Sequence, residues 1–250
     1  MRKQIVLACA LTLASGLSIQ VAAAADKIPA SITAAVADPG RPDADKARDA
    51  DRKPAETLAF AGVKPGQSVV DFLPGGGYFT RIFSKVVGTK GHVVALSPPG
   101  TPEKYTAAAK AIAADAAFPN VTESEVNPSD LPAGSIDLFW TSQNYHDLHN
   151  LQGVDVANID KAIFAALKPG GTFIVLDHAA AAGSGFNDTK TLHRIDEKAV
   201  EKEVESAGFV LAKSSDLLRN PNDPHTAIVF DPSIKGKTDQ FILKFKKPKK

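Results

Sequence analysis

The stretch Val63-Lys-Pro-Gly-Gln-Ser-Val-Val-Asp-Phe-Leu-Pro-Gly-Gly-Gly-Tyr-Phe-Thr-Arg-Ile-Phe-Ser-Lys-Val-Val-Gly-Thr-Lys-Gly-His-Val-Val-Ala-Leu96 reads as a strand, a glycine loop, a helix and a second strand. Gln67 to Leu73 is a short apolar run bounded by turn residues, which suits a buried strand. Pro74-Gly75-Gly76-Gly77 interrupts it, and a helix follows from about Tyr78 to Val87. His92 to Ser97 forms the second strand, closed by Pro98-Pro99-Gly100. Glycines in such a loop let a ligand approach the backbone, and the helix start after them presents free N–H groups.

The alternation continues outward. Pro54 fits the first turn of a helix that Glu56 to Phe60 carries until Gly62 stops it. On the other side, Thr101 is the expected N-cap and Pro102 the first residue of an Ala-rich helix running to about Ala117. Strands are expected at Val121 to Val126 and Ile136 to Thr141, then a helix at about Asn158 to Leu167. Lys168-Pro169-Gly170-Gly171 leads into a fifth strand, Thr172 to Asp177. A helix from Asp196 to Ala207 ends at Gly208 and feeds a sixth strand, Phe209 to Ser214, and the seventh is Gln240 to Phe245. Apolar strands separated by helices predict an α/β fold: a single doubly wound, Rossmann-like domain over residues 48–248. Residues 26–47, rich in Ala, Pro and Asp, read as an extended N-terminal arm.

The start of the chain predicts where the protein works. Met1-Arg2-Lys3, an interrupted apolar core from Ile5 to Ile19 and the small residues Ala23-Ala24-Ala25 form a secretory signal peptide, residues 1–25. A membrane span needs about 20 apolar residues, more than this core supplies, so no membrane attachment is expected after cleavage. The expected location is periplasmic or secreted. The single cysteine, Cys9, lies in that leader, so the remaining chain has no disulfide, thiol nucleophile or Cys-ligated zinc.

Composition excludes other classes. Hydrophobic residues make 44% and charged residues 23% of the 250, as in an ordinary globular protein. Lysine and arginine number 29 against 28 acids, and without Arg2 and Lys3 the balance is 27 to 28, or −1. A near-neutral chain lacks the electrostatic footprint that nucleic-acid binding requires. The basic tail, Lys244, Lys246, Lys247, Lys249 and Lys250, reads as a solvated end.

With that glycine stretch, Ser135-Ile-Asp-Leu-Phe-Trp-Thr-Ser-Gln-Asn-Tyr-His-Asp-Leu-His149 and Ala166-Leu-Lys-Pro-Gly-Gly-Thr-Phe-Ile-Val-Leu-Asp-His178 follow in order. The set resembles the class I S-adenosylmethionine-dependent methyltransferases. More narrowly, RDADRKP (48–54), PGGGYFT (74–80), YHDLH (145–149), LHRID (192–196), LRNPND (218–223) and TDQFILKFKKP (238–248) resemble a bacterial group of exported predicted methyltransferases. The resemblance implies a seven-stranded, mostly parallel sheet with an antiparallel last strand. It also implies S-adenosylmethionine as cofactor and a small-molecule methyl acceptor. Asp71, Gly75 and Gly77 match the cofactor loop, with Pro74 and Gly76 at its variable places and Tyr78 at the helix start. The first loop glycine of the family falls on Leu73, and the acid that grips the ribose hydroxyls falls on Ser97. A serine can accept one hydrogen bond but not the bidentate, charge-assisted pair, which is about twice as strong per bond. Asn127 falls where an acid often meets the adenine amine, and its amide oxygen can still accept.

Four histidines map to the same end of the sheet: His146 and His149 after the fourth strand, His178 after the fifth, and His193 beyond. His225 is a further candidate, and His92 reads as structural. Tyr145, Asp147, Asp177, Arg194 and Asp196 lie close by in sequence. Methyl transfer chiefly needs alignment, with a base only where the acceptor carries a proton. The expected catalytic set is His146 as base, His178 and His193 next, and Tyr145 orienting. Arg52 and Arg194 read as surface charges rather than contacts to an anionic substrate. A second reading is a cofactor-independent binding or stress-related protein on the same scaffold. A third, a metal held by His146 and His149 at i, i+3, lacks an acid-rich partner set, so no metal is expected.

Overall fold

The computed structural model describes residues 27–249, so the expected leader lies outside the described residues. Seven strands form one sheet: β1 (Ser68–Phe72), β2 (His92–Ser97), β3 (Val121–Glu125), β4 (Ile136–Ser142), β5 (Leu167–His178), β6 (Val210–Ser215) and β7 (Gln240–Lys246). Their order is β3-β2-β1-β4-β5-β7-β6. The first five pair in parallel, and β7 runs antiparallel between β5 and β6. The alternating and antiparallel features expected from the sequence are therefore present. The direction of chain progression reverses at β1, which lies between β2 and β4, so the crevice for a ligand opens beyond the carboxyl ends of those strands.

The central strands are buried on both faces because their side chains alternate between two cores. Val69, Leu138, Trp140, Ile174 and Ile242 point to one, while Val70, Phe139, Phe173, Val175 and Leu243 point to the other. The first core is covered by α4 (Pro54–Ala61), α5 (Tyr78–Val87) and α6 (Glu103–Ala114). Phe79 and Phe83 of α5 pack on Trp140 with ring centres 4.7 and 5.5 Å away. Each such fully buried apolar side chain contributes about 1.5–3 kcal/mol. The second core is covered by α7 (Tyr145–Leu148), α8 (Val156–Ala166) and α9 (Glu197–Ser206). Among the described residues no helix is long and apolar enough to cross a membrane.

Three features depart from the sequence expectations. The expected arm of residues 26–47 is, over its described residues 27–47, not extended: α1 (Ala30–Val36) and α2 (Asp43–Lys46) are helical, and α3 (Asp49–Arg52) follows. Ile32 and Ala35, three apart, are buried in the core shared with α5, and that burial fixes the helix. The N-cap of α6 is Pro102 rather than Thr101, whose hydroxyl instead donates to the Pro98 carbonyl at 2.7 Å. Of the basic tail, Lys244, Lys246 and Lys247 are not solvated ends, while Lys249 is exposed and Lys250 lies outside the described residues. Lys244 donates to the Phe60 carbonyl, and Lys247 to those of Phe164 and Leu167. Lys246 bonds Gly170 and Thr172, so the lysines tie β7 to its surroundings.

Candidate functional site

Leu73 follows β1 directly with φ +55°, the left-handed region that favours glycine. For a non-glycine residue that conformation costs about 1–2 kcal/mol, so the surroundings must impose it. They do so from β2 and β4. The Leu73 N–H donates to the Leu96 carbonyl at 2.8 Å. The Asn144 side-chain amide donates to the carbonyls of Leu73 at 2.9 Å and Phe72 at 3.3 Å. Asn144 is itself oriented by the Thr141 hydroxyl. The leucine in the family's first glycine position thus keeps the glycine-like backbone.

The next glycines differ in what limits them. Gly75 has φ +54°, and a Cβ there would meet no atom within 4 Å; it faces open space. Gly77 has φ +74°, but its Cβ would lie 2.2 Å from Ile112 Cδ1, inside the packing of α5 against α6. Both were expected against a ligand; Gly75 faces open space, whereas Gly77 is limited by the packing around it. Pro74 and Gly76 complete the turn, Gly76 being exposed. Asp71 lies buried beneath it and accepts from the Thr80 hydroxyl at 2.6 Å. Ser97, at the end of β2, is 1% exposed. Asn127 is exposed, and its N–H donates to Asp130 Oδ2 at 3.0 Å. Tyr78 does not turn its hydroxyl to the crevice: it donates to Asp49 at 2.6 Å, while Arg41, Arg48 and Arg52 surround its ring. The signal for that contact is the Arg48-Asp49-Ala50-Asp51-Arg52 run, which folds as α3 over the start of α5.

Burial raises the Asp71 carboxyl to about 7, against the Thr80 hydrogen bond and the Arg52 charge, from 3.8 in the free side chain. Between those two values the folded chain holds a proton that the unfolded chain has released. Stability is then expected to fall as pH rises from about 4 to about 7 and to level off above. Asp71→Asn should flatten that slope, read as urea midpoints across the window. The same slope in the variant would assign the titration to another group.

Arg52 is not a surface charge. Its guanidinium donates to the Gln143 amide oxygen and lies 4.7 Å from the Tyr78 ring centre and 5.4 Å from that of Phe79. Burial lowers its pKa to about 10, which leaves it a cation. Gln143, at φ +61°, also donates to Gln240 at 2.9 Å, linking β4 to β7. Gln143 and Asn144 were missed in the sequence, where two amides directly after the apolar run of β4 were the available signal.

The histidines divide. His146 is 2% exposed, its Nδ1 is 2.8 Å from Asp177 Oδ1, and its N–H donates to Asp177 Oδ2. Its Nε2 lies 3.2 Å from His193 Nδ1 and 3.3 Å from Asp147 Oδ1. His178 joins from β5, with its ring centre 6.1 Å from that of His146 and its Nδ1 2.7 Å from the Thr238 hydroxyl. His149 instead meets Glu203 at 3.1 Å and stacks on Phe186, and His225 meets Asp239 at 3.0 Å. The pairing of His146 with His149 on one ion is therefore not what the fold builds. Burial works to lower the His146 pKa, but Asp177 and Asp147 outweigh it and raise it to about 10. With Nδ1 held by Asp177, His146 turns only Nε2 towards His193 and Asp147. Burial pushes His178 down to about 4, so its ring is neutral at pH 7.

Tyr145 and Arg194 are structural. Tyr145 is fully buried, with its hydroxyl between Asp160 at 2.9 Å and Glu203 at 2.8 Å, and so cannot orient a substrate in the crevice. One phenolic proton cannot serve two carboxylates, and burial raises Asp160 well above its usual value. Arg194, also fully buried, pairs with Asp223 at 2.9 Å. A depression of about 330 Å³ lined by Lys64, Asp137, Lys168 and Lys246 opens at the opposite ends of the strands, away from all these groups.

No protein-family model matches the chain. Over 145 residues it is 28% identical to protein-L-isoaspartate O-methyltransferase 1 of Arabidopsis thaliana, covering 58% of each. Over 196 residues it is 26% identical to a ubiquinone/menaquinone biosynthesis C-methyltransferase of Vibrio cholerae, covering 75% of this chain and 65% of the relative. The chain thus spans 58% to 65% of the length of these curated relatives. The crystal structure of a SAM-dependent methyltransferase from Aquifex aeolicus matches with a TM-score of 0.57 at 19% identity, over 79% of this chain and 89% of that one. With the strand order and the antiparallel β7, these likenesses show the fold: a Rossmann-like domain similar to that of the solved methyltransferase.

Proposed function

We propose that the protein is an S-adenosylmethionine-dependent methyltransferase that acts on a small polar molecule outside the cytoplasm. The observation that carries this reading is the β1 loop at the switch point, where Asn144 holds Leu73 in a glycine-like turn and Gly75 faces open space. The residues fit the cofactor. Gly75 allows close approach, the first N–H groups of α5 face the same loop, and Asp71 and Ser97 lie at the carboxyl ends of the two strands beside it, Asp71 one residue before the end of β1. Bound there, the cofactor supplies an activated methyl group. What remains for the chain is to align the acceptor and exclude water, and orientation alone can supply about 7–11 kcal/mol of a barrier. Arg52, whose charge meets an amide and two ring faces, offers a cation to an anionic group of a ligand in the crevice.

Calorimetry with S-adenosylmethionine and S-adenosylhomocysteine tests the reading. Wild type is expected to bind both, and Ser97→Asp to bind about 10-fold or more tightly, since a ribose acceptor returns. No heat from either protein at millimolar ligand would overturn it in favour of a binding protein on the same scaffold. The extracytoplasmic part rests on residues 1–25; protein retained in the cytoplasm with Met1 intact, found by cell fractionation and mass spectrometry, would overturn that part alone.

A further inference from the structure

The geometry points to a divalent-metal site of the kind zinc occupies, built from His146 Nε2, His193 Nδ1 and Asp147 Oδ1. The three atoms form a nearly equilateral triangle with sides of 3.2, 3.3 and 3.4 Å. Two ligands about 2.1 Å from a tetrahedral ion lie about 3.4 Å apart, against about 3.0 Å around an octahedral one. Two of the observed sides, 3.3 and 3.4 Å, sit closer to the tetrahedral value, and the third lies midway. Two imidazoles and one carboxylate are also a suitable donor set for zinc, and three protein ligands leave the fourth position open.

The surroundings of the triangle match a metal site in two further respects. Asp177, fully buried, engages His146 Nδ1 and also accepts the backbone N–H groups of His146 and His178. A carboxylate on the far nitrogen of a ligating histidine fixes the tautomer that directs Nε2 at the ion. The site is also closed on one side and open on the other. The His146 side chain is 2% exposed, while those of His193 and Asp147 are 28% and 45% exposed. An ion can enter from that open side, and the free position can take water or an oxygen atom of a small anionic or hydroxylated molecule.

Two separate segments make the cluster. His146 and Asp147 are consecutive in α7, whereas His193 stands in the loop before α9 at φ +54°. That loop is pinned to β5 by the Ile195 N–H, which donates to the His178 carbonyl at 3.0 Å. The sequence argument against a metal rested on a missing carboxylate. Asp147, next to His146, supplies it once the fold brings His193 across.

The site does not depend on the methyl-transfer reading, and its test needs no cofactor. Protein purified without a polyhistidine tag would be stripped with a chelator and titrated with Zn²⁺ by calorimetry and with Co²⁺ by visible absorption. One equivalent of zinc should bind, Co²⁺ should show the intense bands of four-coordination, and zinc should raise the melting temperature. His193→Ala and Asp147→Ala should each abolish the tight site, and Asp177→Asn should weaken it about 10- to 100-fold. His149→Ala, at a histidine held by Glu203, should bind as wild type does. Melting curves of the metal-free variants establish that each is folded. Uptake below roughly a tenth of an equivalent, which would leave most sites empty, overturns the site. So does zinc retained by both His193→Ala and Asp147→Ala, which marks adventitious binding, or a weak six-coordinate cobalt spectrum.

Discussion

Arg194→Ala is expected to cost about 3–5 kcal/mol, the penalty of leaving a buried carboxylate without its partner. Arg194 and Asp223 are both fully buried as side chains, and the guanidinium makes four contacts. Nη1 reaches Asp223 Oδ2 at 2.9 Å and the Ala179 carbonyl at 2.9 Å, Nη2 reaches Asp223 Oδ1 at 3.1 Å, and Nε reaches the Ala227 carbonyl at 3.0 Å. Removing the arginine therefore strands a carboxylate and two main-chain oxygens together. Urea denaturation should show the loss, and the melting temperature should fall by roughly 10 °C in a domain of this size. Arg194→Met with Asp223→Leu should cost less than either single change, because no unpaired charge then remains. A loss under about 1 kcal/mol for Arg194→Ala, the range of an exposed pair, would refute the assignment. The pair also has a pH signature. Burial would raise the Asp223 carboxyl, but the N–H groups of Asp239 and His225 and the Arg194 guanidinium outweigh it and hold it below 3.8. Its contribution is thus present above the unfolded value and lost as pH falls through the lower, folded one.

That arginine shows why the sheet was legible in the sequence and the site only in part. A parallel strand buried on both faces must be a continuous apolar run, so Val69-Val70, Ile136 to Trp140 and Phe173 to Leu176 announce themselves locally. The β1 turn was legible for the same reason: its glycines are a local requirement of backbone geometry. A charged residue carries no such mark. Arg52, Arg194 and the hydroxyls of Tyr78 and Tyr145 are held by partners distant in sequence, from Asp49 to Asp223. Nothing within a few residues of any of them distinguishes a solvated group from an internal one. The helix α1 was missed for a related reason, since only Ile32 and Ala35 mark its inward face and seven residues are too few for periodicity to emerge.

The two glycines that look equivalent in Pro74-Gly75-Gly76-Gly77 should fail in opposite ways when substituted. Gly75→Val is expected to abolish binding of S-adenosylmethionine while leaving a folded protein. No atom lies within 4 Å of a Cβ at Gly75, so its cost to folding comes from φ +54°. That strain is about 1–2 kcal/mol, somewhat more for a branched side chain. The new methyl groups would occupy the open side of the loop, where the proposed ligand must approach the backbone. Gly77→Ala should instead lower stability and spare the ligand side, because its methyl meets Ile112 Cδ1 at 2.2 Å between α5 and α6. Ile112 is the flexible end of a core side chain, so Ile112→Ala should recover part of the loss in the double variant. The two changes share one volume and cannot add. Calorimetry and melting curves on the same samples separate the outcomes. Ligand affinity unchanged in Gly75→Val would remove the loop from the binding site. A loss in Gly77→Ala that Ile112→Ala fails to relieve would mean the strain lies in the backbone alone, since φ +74° persists whatever faces it.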